Sequence, residues 1–458
     1  MKRSLFFLAL SAIAAMAKPN IVFIITDDLG YGDLSCNGQK FFETPVLDGL
    51  ASKGLRFTDF YSGATVCAPA RCSLMTGRDP GHAYIRGNGP FALRPDPQDI
   101  TVGTLLQGAG YRTAMIGKSC ITGNTQTPEV VLSKGFDVFY GTTDHRDGHF
   151  RYPKFVYDQT KKVMLEGNKL HEGPHYDAEL YMKAAEKFIG DQSEDEPFFL
   201  LLSFPIPHAS LLAPEGKADE VTMKNDVNFR NSKHYSNVEG VKANYAAMVM
   251  EVDAYVGRVM KALEAKGVEE DTLVMFTSDN GSHFEGGYDP KLLNSNGELR
   301  GGKRDLYEGG IRVPLVAYWP AGIKKPGAPE APFAFWDVLP TACELAGVES
   351  PSEIEGISFV PTLTGKGEQE MHESLYWEFH ERKGRRALRQ GKWKLVQYDL
   401  GAKNPGKPQL YDLSQDIGEQ KDLAAKHPER VKDMVKWMDQ HRKPAERFPM
   451  APLDKLSK

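Results

Sequence analysis

Asn20-Ile21-Val22-Phe23-Ile24-Ile25-Thr26-Asp27-Asp28 sets five apolar residues in unbroken succession and closes them with two carboxylates. A strand with one wet face alternates apolar and polar residues, whereas an unbroken apolar run is the pattern of a strand covered on both faces. The same texture returns at Thr113 to Ile116, Phe198 to Leu202, Leu273 to Phe276 and Pro314 to Trp319. Helical patterns lie between, notably Asp177 to Ile189 and Val241 to Lys266, the latter stopped by Gly267. Strands alternating with helices predict an α/β fold, a large and mostly parallel sheet sandwiched by helices. Chemistry in such sheets collects at the carboxyl ends of strands. Asp27-Asp28 ends the first run, and Asp279-Asn280 follows Leu273 to Phe276 by two residues. After Gly365 the texture changes: Leu375 to Phe379 and Trp393 to Val396 read as antiparallel strands, and Pro428 to Arg442 as a closing amphipathic helix. The expected organisation is a catalytic domain over residues 18–366 and a smaller α+β subdomain over 367–458.

The chain of 458 residues is 41% hydrophobic and 26% charged, which excludes collagen-like, coiled-coil and wholly disordered classes. Lys2 and Arg3, an apolar run from Leu5 to Ala15 and the small-x-small triplet Ala15-Met16-Ala17 read as a signal peptide over residues 1–17. No later stretch approaches the roughly 20 apolar residues of a membrane span. The expectation is an exported protein, periplasmic or secreted. Its formal charge of −5 becomes −7 without Lys2 and Arg3, so no global basic field attracts nucleic acid. Five cysteines, Cys36, Cys67, Cys72, Cys120 and Cys343, are an odd number, and with Cys67 set aside the other four permit three pairings.

Asp27, Asp28, Asp279 and Asn280 offer three carboxylates and an amide carbonyl at one sheet edge. These hard oxygen donors suit Ca²⁺, ahead of Mg²⁺; strand-end Asp and Asn also serve as turn and cap residues. In Cys67-Ala68-Pro69-Ala70-Arg71-Cys72 the proline suits the first turn of a helix. That places Cys67 at the helix N-terminus, where free N–H groups favour an anion, with Arg71 able to reach back. A structural cysteine, or half a metal site with Cys72, are the other readings; no further cysteine pair completes the second. His171-Glu172-Gly173-Pro174-His175 matches the H-E-x-x-H zinc motif, but Gly173-Pro174 breaks the helix that motif needs. Asn280-Gly281-Ser282 is formally a glycosylation sequon, read here as a ligand position instead.

At Cys67, Pro69, Arg71, Thr76, Gly77 and Arg78 the sequence resembles the type I, formylglycine-dependent sulfatases of the alkaline phosphatase superfamily. The resemblance runs from about Pro19 to about Lys432, through Asn20 to Asp28, Gly81 to Asn88, Pro207-His208, Asp279 to Gly281, Gly302 to Arg304, Glu308 to Pro314 and Leu410 to Leu413. It implies that a maturation enzyme oxidises Cys67 to Cα-formylglycine (3-oxoalanine), whose hydrate is the nucleophile. It further implies that Asp27, Asp28, Asp279 and Asn280 bind Ca²⁺ with residue 67, and that Arg71 steadies the formylglycine. Lys118, Lys303 and His208 would hold sulfate oxygens or protonate the leaving sugar oxygen; a lone lysine is otherwise most often a solvated surface residue.

One position departs from the family. Gly117-Lys118-Ser119-Cys120 puts a cysteine where a histidine commonly stands two residues past the lysine, and a cysteine does not replace a histidine at neutral pH without strong activation. The branch resembles bacterial, arylsulfatase-like enzymes that act on polysaccharides or host glycans, which implies a sulfated carbohydrate substrate with a galactose-type sugar. His145 and Arg146 are candidate sugar contacts on a loop. A formylglycine-dependent phosphonate or phosphodiester hydrolase, and a catalytically impaired glycan-binding homologue, are the competing readings.

Overall fold

Every residue of β1 (Asn20–Asp27) is buried, as its unbroken apolar run demands. The structure, a computed structural model, describes residues 18–123, 125–144, 146–193, 195–230, 234–450 and 453–456; the expected signal peptide, 1–17, lies outside the described residues. The strands follow in chain order as β2 (Leu55–Phe57), β3 (Phe60–Tyr61), β4 (Arg112–Lys118), β5 (Val138–Thr142), β6 (Phe155–Asp158), β7 (Lys161–Met164), β8 (Phe198–Pro207), β9 (Thr272–Ser278), β10 (Leu315–Tyr318), β11 (Phe333–Ala334), β12 (Leu375–Phe379), β13 (Arg385–Gln390), β14 (Trp393–Gln397) and β15 (Gln409–Asp412). A nine-stranded sheet takes the order β2-β10-β9-β1-β8-β4-β5-β6-β7. Its centre, β9, β1, β8, β4 and β5, is parallel. The flanks are not: β10 pairs antiparallel with β9, and β6 and β7 form an antiparallel edge. Pro314 to Trp319, grouped by texture with the parallel strands, therefore runs the other way, because an apolar run encodes burial and not direction.

Alternate residues of the central strands feed two separate cores. Ile21, Phe23, Ile25, Phe199, Leu201, Leu273 and Met275 face helices Cys67–Thr76, Val102–Gly108 and Val338–Ala346. Val22, Ile24, Leu200, Leu202, Val274 and Phe276 face helices Pro45–Lys53, Asp177–Gly190 and Val241–Lys266. Each of these side chains contributes about 1.5–3 kcal/mol by burial. The long helix stops at Gly267, whose φ of 77° closes its last turn.

β12, β13, β14 and β15 form a second, antiparallel sheet. Helix Pro428–His441 covers one face through Met434 and Met438, while Trp377, Phe379 and Val396 pack toward Tyr61 and Trp336 of the main body. A buried ion cluster ties the two parts together. Lys394 Nζ lies 2.6 Å from Glu308 Oε1 and 3.1 Å from Glu419 Oε1, and Glu308 Oε2 accepts from Arg312 Nε at 2.6 Å and Tyr61 Oη at 2.8 Å. All five cysteines are free. Among the described residues no helix is long and apolar enough to cross a membrane. Lys394→Met removes the ammonium between two buried carboxylates and is expected to cost about 3–5 kcal/mol, measured as a lowered urea-unfolding midpoint.

Candidate active site

Four adjacent parallel strands end at one edge and each delivers a polar side chain there. In the ladder Thr26 stands opposite Ser278, Asp27 opposite Pro207, and Gly117 opposite Ser203. Asp27-Asp28, Asp279-Asn280, His208 and Lys118 thus arrive together from β1, β9, β8 and β4. Asp28 adopts a φ of 67°, a left-handed conformation that Asp tolerates. Gly281 lets the chain press close: a Cβ there would stand 1.8 Å from the Gly309 carbonyl oxygen. Helix Cys67–Thr76 points its first residue at the same edge. Pro69 sits in its first turn, where a missing N–H costs nothing, and Gly77 closes it at φ 69°.

Each buried carboxylate is matched by one cation. Lys118 Nζ pairs with Asp27, Lys303 Nζ lies 2.7 Å from Asp28 Oδ2, and Arg71 Nη2 lies 3.0 Å from Asp279 Oδ2. Asn280 Nδ2 donates to Asp28 Oδ1 at 2.6 Å, and the Asp28 N–H to Asp279 Oδ1 at 3.1 Å. Asp27 Oδ1 and Asn280 Oδ1 are buried without any hydrogen-bond partner. Orphaned buried oxygens are rare, and two of them beside two further carboxylates fit a hard divalent cation. The ligating atoms of Asp27, Cys67 and Asp279 lie within 4.8 Å of one another, as do those of Asp27, Asp28 and His208. The sequon at Asn280 is fully buried, and no helix spans His171 to His175.

Cys67 is 1% exposed, with Sγ 3.7 Å from Asn88 Oδ1 and 3.9 Å from Lys118 Nζ. The Cys120 thiol beside it, and then Lys118, lower its pKa to about 6 against the effect of burial. Burial and the hydrogen bond to Cys67 push the Cys120 thiol far above the ordinary range. Burial opposes the Lys118 charge, yet Asp27 holds its pKa well up. His208 Nδ1 meets the Ala209 carbonyl oxygen at 2.5 Å, so that nitrogen donates and Nε2 is left facing Glu285 Oε2 at 3.3 Å and Asp28 Oδ2 at 3.4 Å. Burial and Lys303 keep the imidazole pKa well below its usual value, so the ring rests neutral.

Several residues at this edge escaped the sequence reading. Glu285 lies 3.4 Å from Lys303 Nζ and 2.6 Å from Arg304 Nη1, and His149 stacks on His208 with ring centres 4.2 Å apart. Asn88 reaches Cys67 and accepts the Ala68 N–H at 3.1 Å. Glu285 had a usable signal, six residues beyond Asp279 in the same loop; the pairing of His149 with His208 had none. Arg146 does not join the cluster: its side chain is 62% exposed and held by Asp144 at 3.3 Å. His145 lies outside the described residues.

Comparison with known proteins is consistent along the whole chain. Human arylsulfatase A is 32% identical over 469 residues, covering 92% of this chain and 86% of that enzyme. Human N-acetylgalactosamine-6-sulfatase is 30% identical over 374 residues, covering 77% and 67%. The crystal structure of Ps i-CgsB in complex with k-i-k-neocarrahexaose superposes with a TM-score of 0.78 at 25% identity over 96% of each chain. Residues 301–444 match the C-terminal region of N-sulphoglucosamine sulphohydrolase. With residues 19–348 matching the sulfatase family itself, the carboxylates, cations and cysteine gathered at this sheet edge belong to a member of that family, a sulfuric ester hydrolase.

Proposed function

We propose that this enzyme hydrolyses sulfate esters of a sulfated carbohydrate, using Cys67 matured to Cα-formylglycine and Ca²⁺ held by Asp27, Asp28, Asp279 and Asn280. The observation that carries the reading is the pair of orphaned oxygens, Asp27 Oδ1 and Asn280 Oδ1, beside the buried Cys67. Three carboxylates against Lys118, Lys303 and Arg71 are neutral, so a divalent cation leaves a positive surplus that suits the sulfate anion. Ca²⁺ there supplies charge stabilisation for the sulfate oxygens and for the nucleophilic oxygen. The name of N-acetylgalactosamine-6-sulfatase among the relatives supports a galactose-type sugar. The apolar run of residues 5–15 supports export, periplasmic or beyond the cell.

In this scheme one hydroxyl of a residue 67 hydrate would give its proton to water and bond to sulfur as the bond from sulfur to the sugar oxygen breaks. The second hydroxyl would then pass its proton to water, so that the carbonyl re-forms and sulfate departs, and a further water would restore the hydrate. A serine ester has no second hydroxyl with which to clear itself. Lys118 and Lys303 would hold the sulfate oxygens whose charge grows, and Arg71 would steady residue 67. The leaving sugar oxygen would take its proton from His208 Nε2 after the ring, neutral at rest, has picked one up from water, the imidazolium being stabilised by Glu285 and Asp28.

The tryptic peptide Phe57 to Arg71 from protein made in its native host is expected to carry the mass of an aldehyde in place of the Cys67 thiol; an unmodified, alkylatable thiol would sink the scheme. Cys67→Ala should abolish turnover, and aryl sulfate should be cleaved faster than a matched aryl phosphodiester. Chelation with EDTA should stop turnover, and Ca²⁺ should restore it better than Mg²⁺. His208→Ala should lower kcat by about 10²–10⁴, the usual range for a lost proton-transfer group, whereas Cys120→Ala should stay within about tenfold of the parent; a loss at Cys120 as large as at His208 would make the thiol the base.

A further inference from the structure

A second group of metal-ligating side chains converges away from this edge, where helix Pro428–His441 meets the loop after helix Cys67–Thr76. Asp79 and His82 stand on that loop, Glu355 on the segment after helix Val338–Ala346, and His441 is the last residue of its helix. One Asp79 oxygen lies 3.3 Å from His82 Nδ1 and the other 2.5 Å from His441 Nε2. Glu355 Oε1 lies 3.0 Å from the same His82 nitrogen. The donor atoms of Asp79, His82 and His441 fall within 4.8 Å of one another. The His82 side chain is only 10% exposed, and its Nδ1 makes no aligned hydrogen bond although two carboxylates flank it.

Charge and outer contacts point the same way. Among the described residues neither Asp79 nor Glu355 pairs with a lysine or arginine: Arg86 and Arg442 both turn to Glu378, at 2.8 Å and 2.9 Å, and Arg78 lies 3.7 Å from Glu353. As metal ligands the two imidazoles are neutral and the two carboxylates carry −2, which one divalent ion cancels. Without the ion, burial opposes the His82 charge but the same carboxylates raise its pKa to about 9, so metal and proton compete for this nitrogen. Two imidazole nitrogens and an Asp79 oxygen converge as a group of three, and Glu355, against His82, would complete four donors of the kinds that suit zinc. The rings are held from outside, since His441 stacks on Trp437 with centres 4.3 Å apart and meets His82 edge-on at 4.6 Å. The carboxylates are held too: Asp79 Oδ1 accepts the Gly81 N–H at 2.8 Å, and Glu355 Oε2 accepts the Asp79 N–H at 3.2 Å.

We propose that Asp79, His82, Glu355 and His441 form a structural Zn²⁺ site that fastens the C-terminal helix to the segment Gly81 to Asn88, the segment whose far end touches Cys67. The test titrates Co²⁺, a spectroscopic stand-in for zinc, into EDTA-stripped full-length protein with Ca²⁺ in excess. One equivalent should bind with the visible absorption of four-coordinate Co²⁺, and Zn²⁺ should displace it. The band should vanish in His82→Ala and in His441→Gln and persist in Asp28→Asn, and Zn²⁺ should raise the melting temperature of the parent and of Asp28→Asn but not of the two histidine variants. Absence of a saturable band in the parent overturns the proposal, a result independent of whether the variants fold. A band that survives both histidine substitutions, or is lost with Asp28→Asn alone, overturns it as well and leaves the four side chains a proton-bridged hub.

Discussion

Asp27, Asp28 and Asp279 are buried together at the end of two neighbouring strands, and the cost of desolvating three like charges governs what surrounds them. Each ion taken out of water costs several kcal/mol unless paired and hydrogen-bonded. The partners come from three separate places: Lys118 from the end of β4, Lys303 from the connection between β9 and β10, and Arg71 from the helix that begins at Cys67. Only a sheet that sets β9, β1, β8 and β4 side by side with their carboxyl ends aligned brings these groups within reach. The parallel centre of the sheet is thus a condition for burying the charges.

The second sheet reaches the site through the same electrostatics. Lys394 on β14 holds Glu308, and Glu308 begins the short turn whose Gly309 carbonyl lies against Gly281, next to Asn280. A displacement of β14 therefore bears on the loop that carries Asp279 and Asn280 within a few residues. This continuity accounts for an ion cluster that is buried where well-packed apolar side chains would be no less stable.

Much of this was legible along the chain because the signals were local. The unbroken run of β1, the glycine after Lys266, and the proline two residues past Cys67 each state their own conformation. The limits of β12, Leu375–Phe379, and of the helix Val241–Lys266 coincide with those read from the sequence. What escaped was relational. β10 looks like its parallel neighbours because strand direction depends on the connection and not on side chains. Glu285, His149 and the Asp79–His441 contact join residues whose partners lie on other elements, and a single sequence carries no mark of such pairs. Cysteine count suggested pairing, yet all five thiols remain free.

The position of β1 also sets an order of events during synthesis. Its partner β9 is far along the chain, Asn20 and Thr272 being 252 residues apart. Contacts of such long range close late, so the main sheet cannot form until more than half of the polypeptide has been made. Until then the edge that buries Cys67 lacks Asp279, Asn280 and Lys303; in the folded chain Cys67 is 1% exposed behind its own helix and Asn88. Any covalent conversion of that thiol by a separate enzyme is thereby a race against folding, and the topology lengthens the time in which the race can be won.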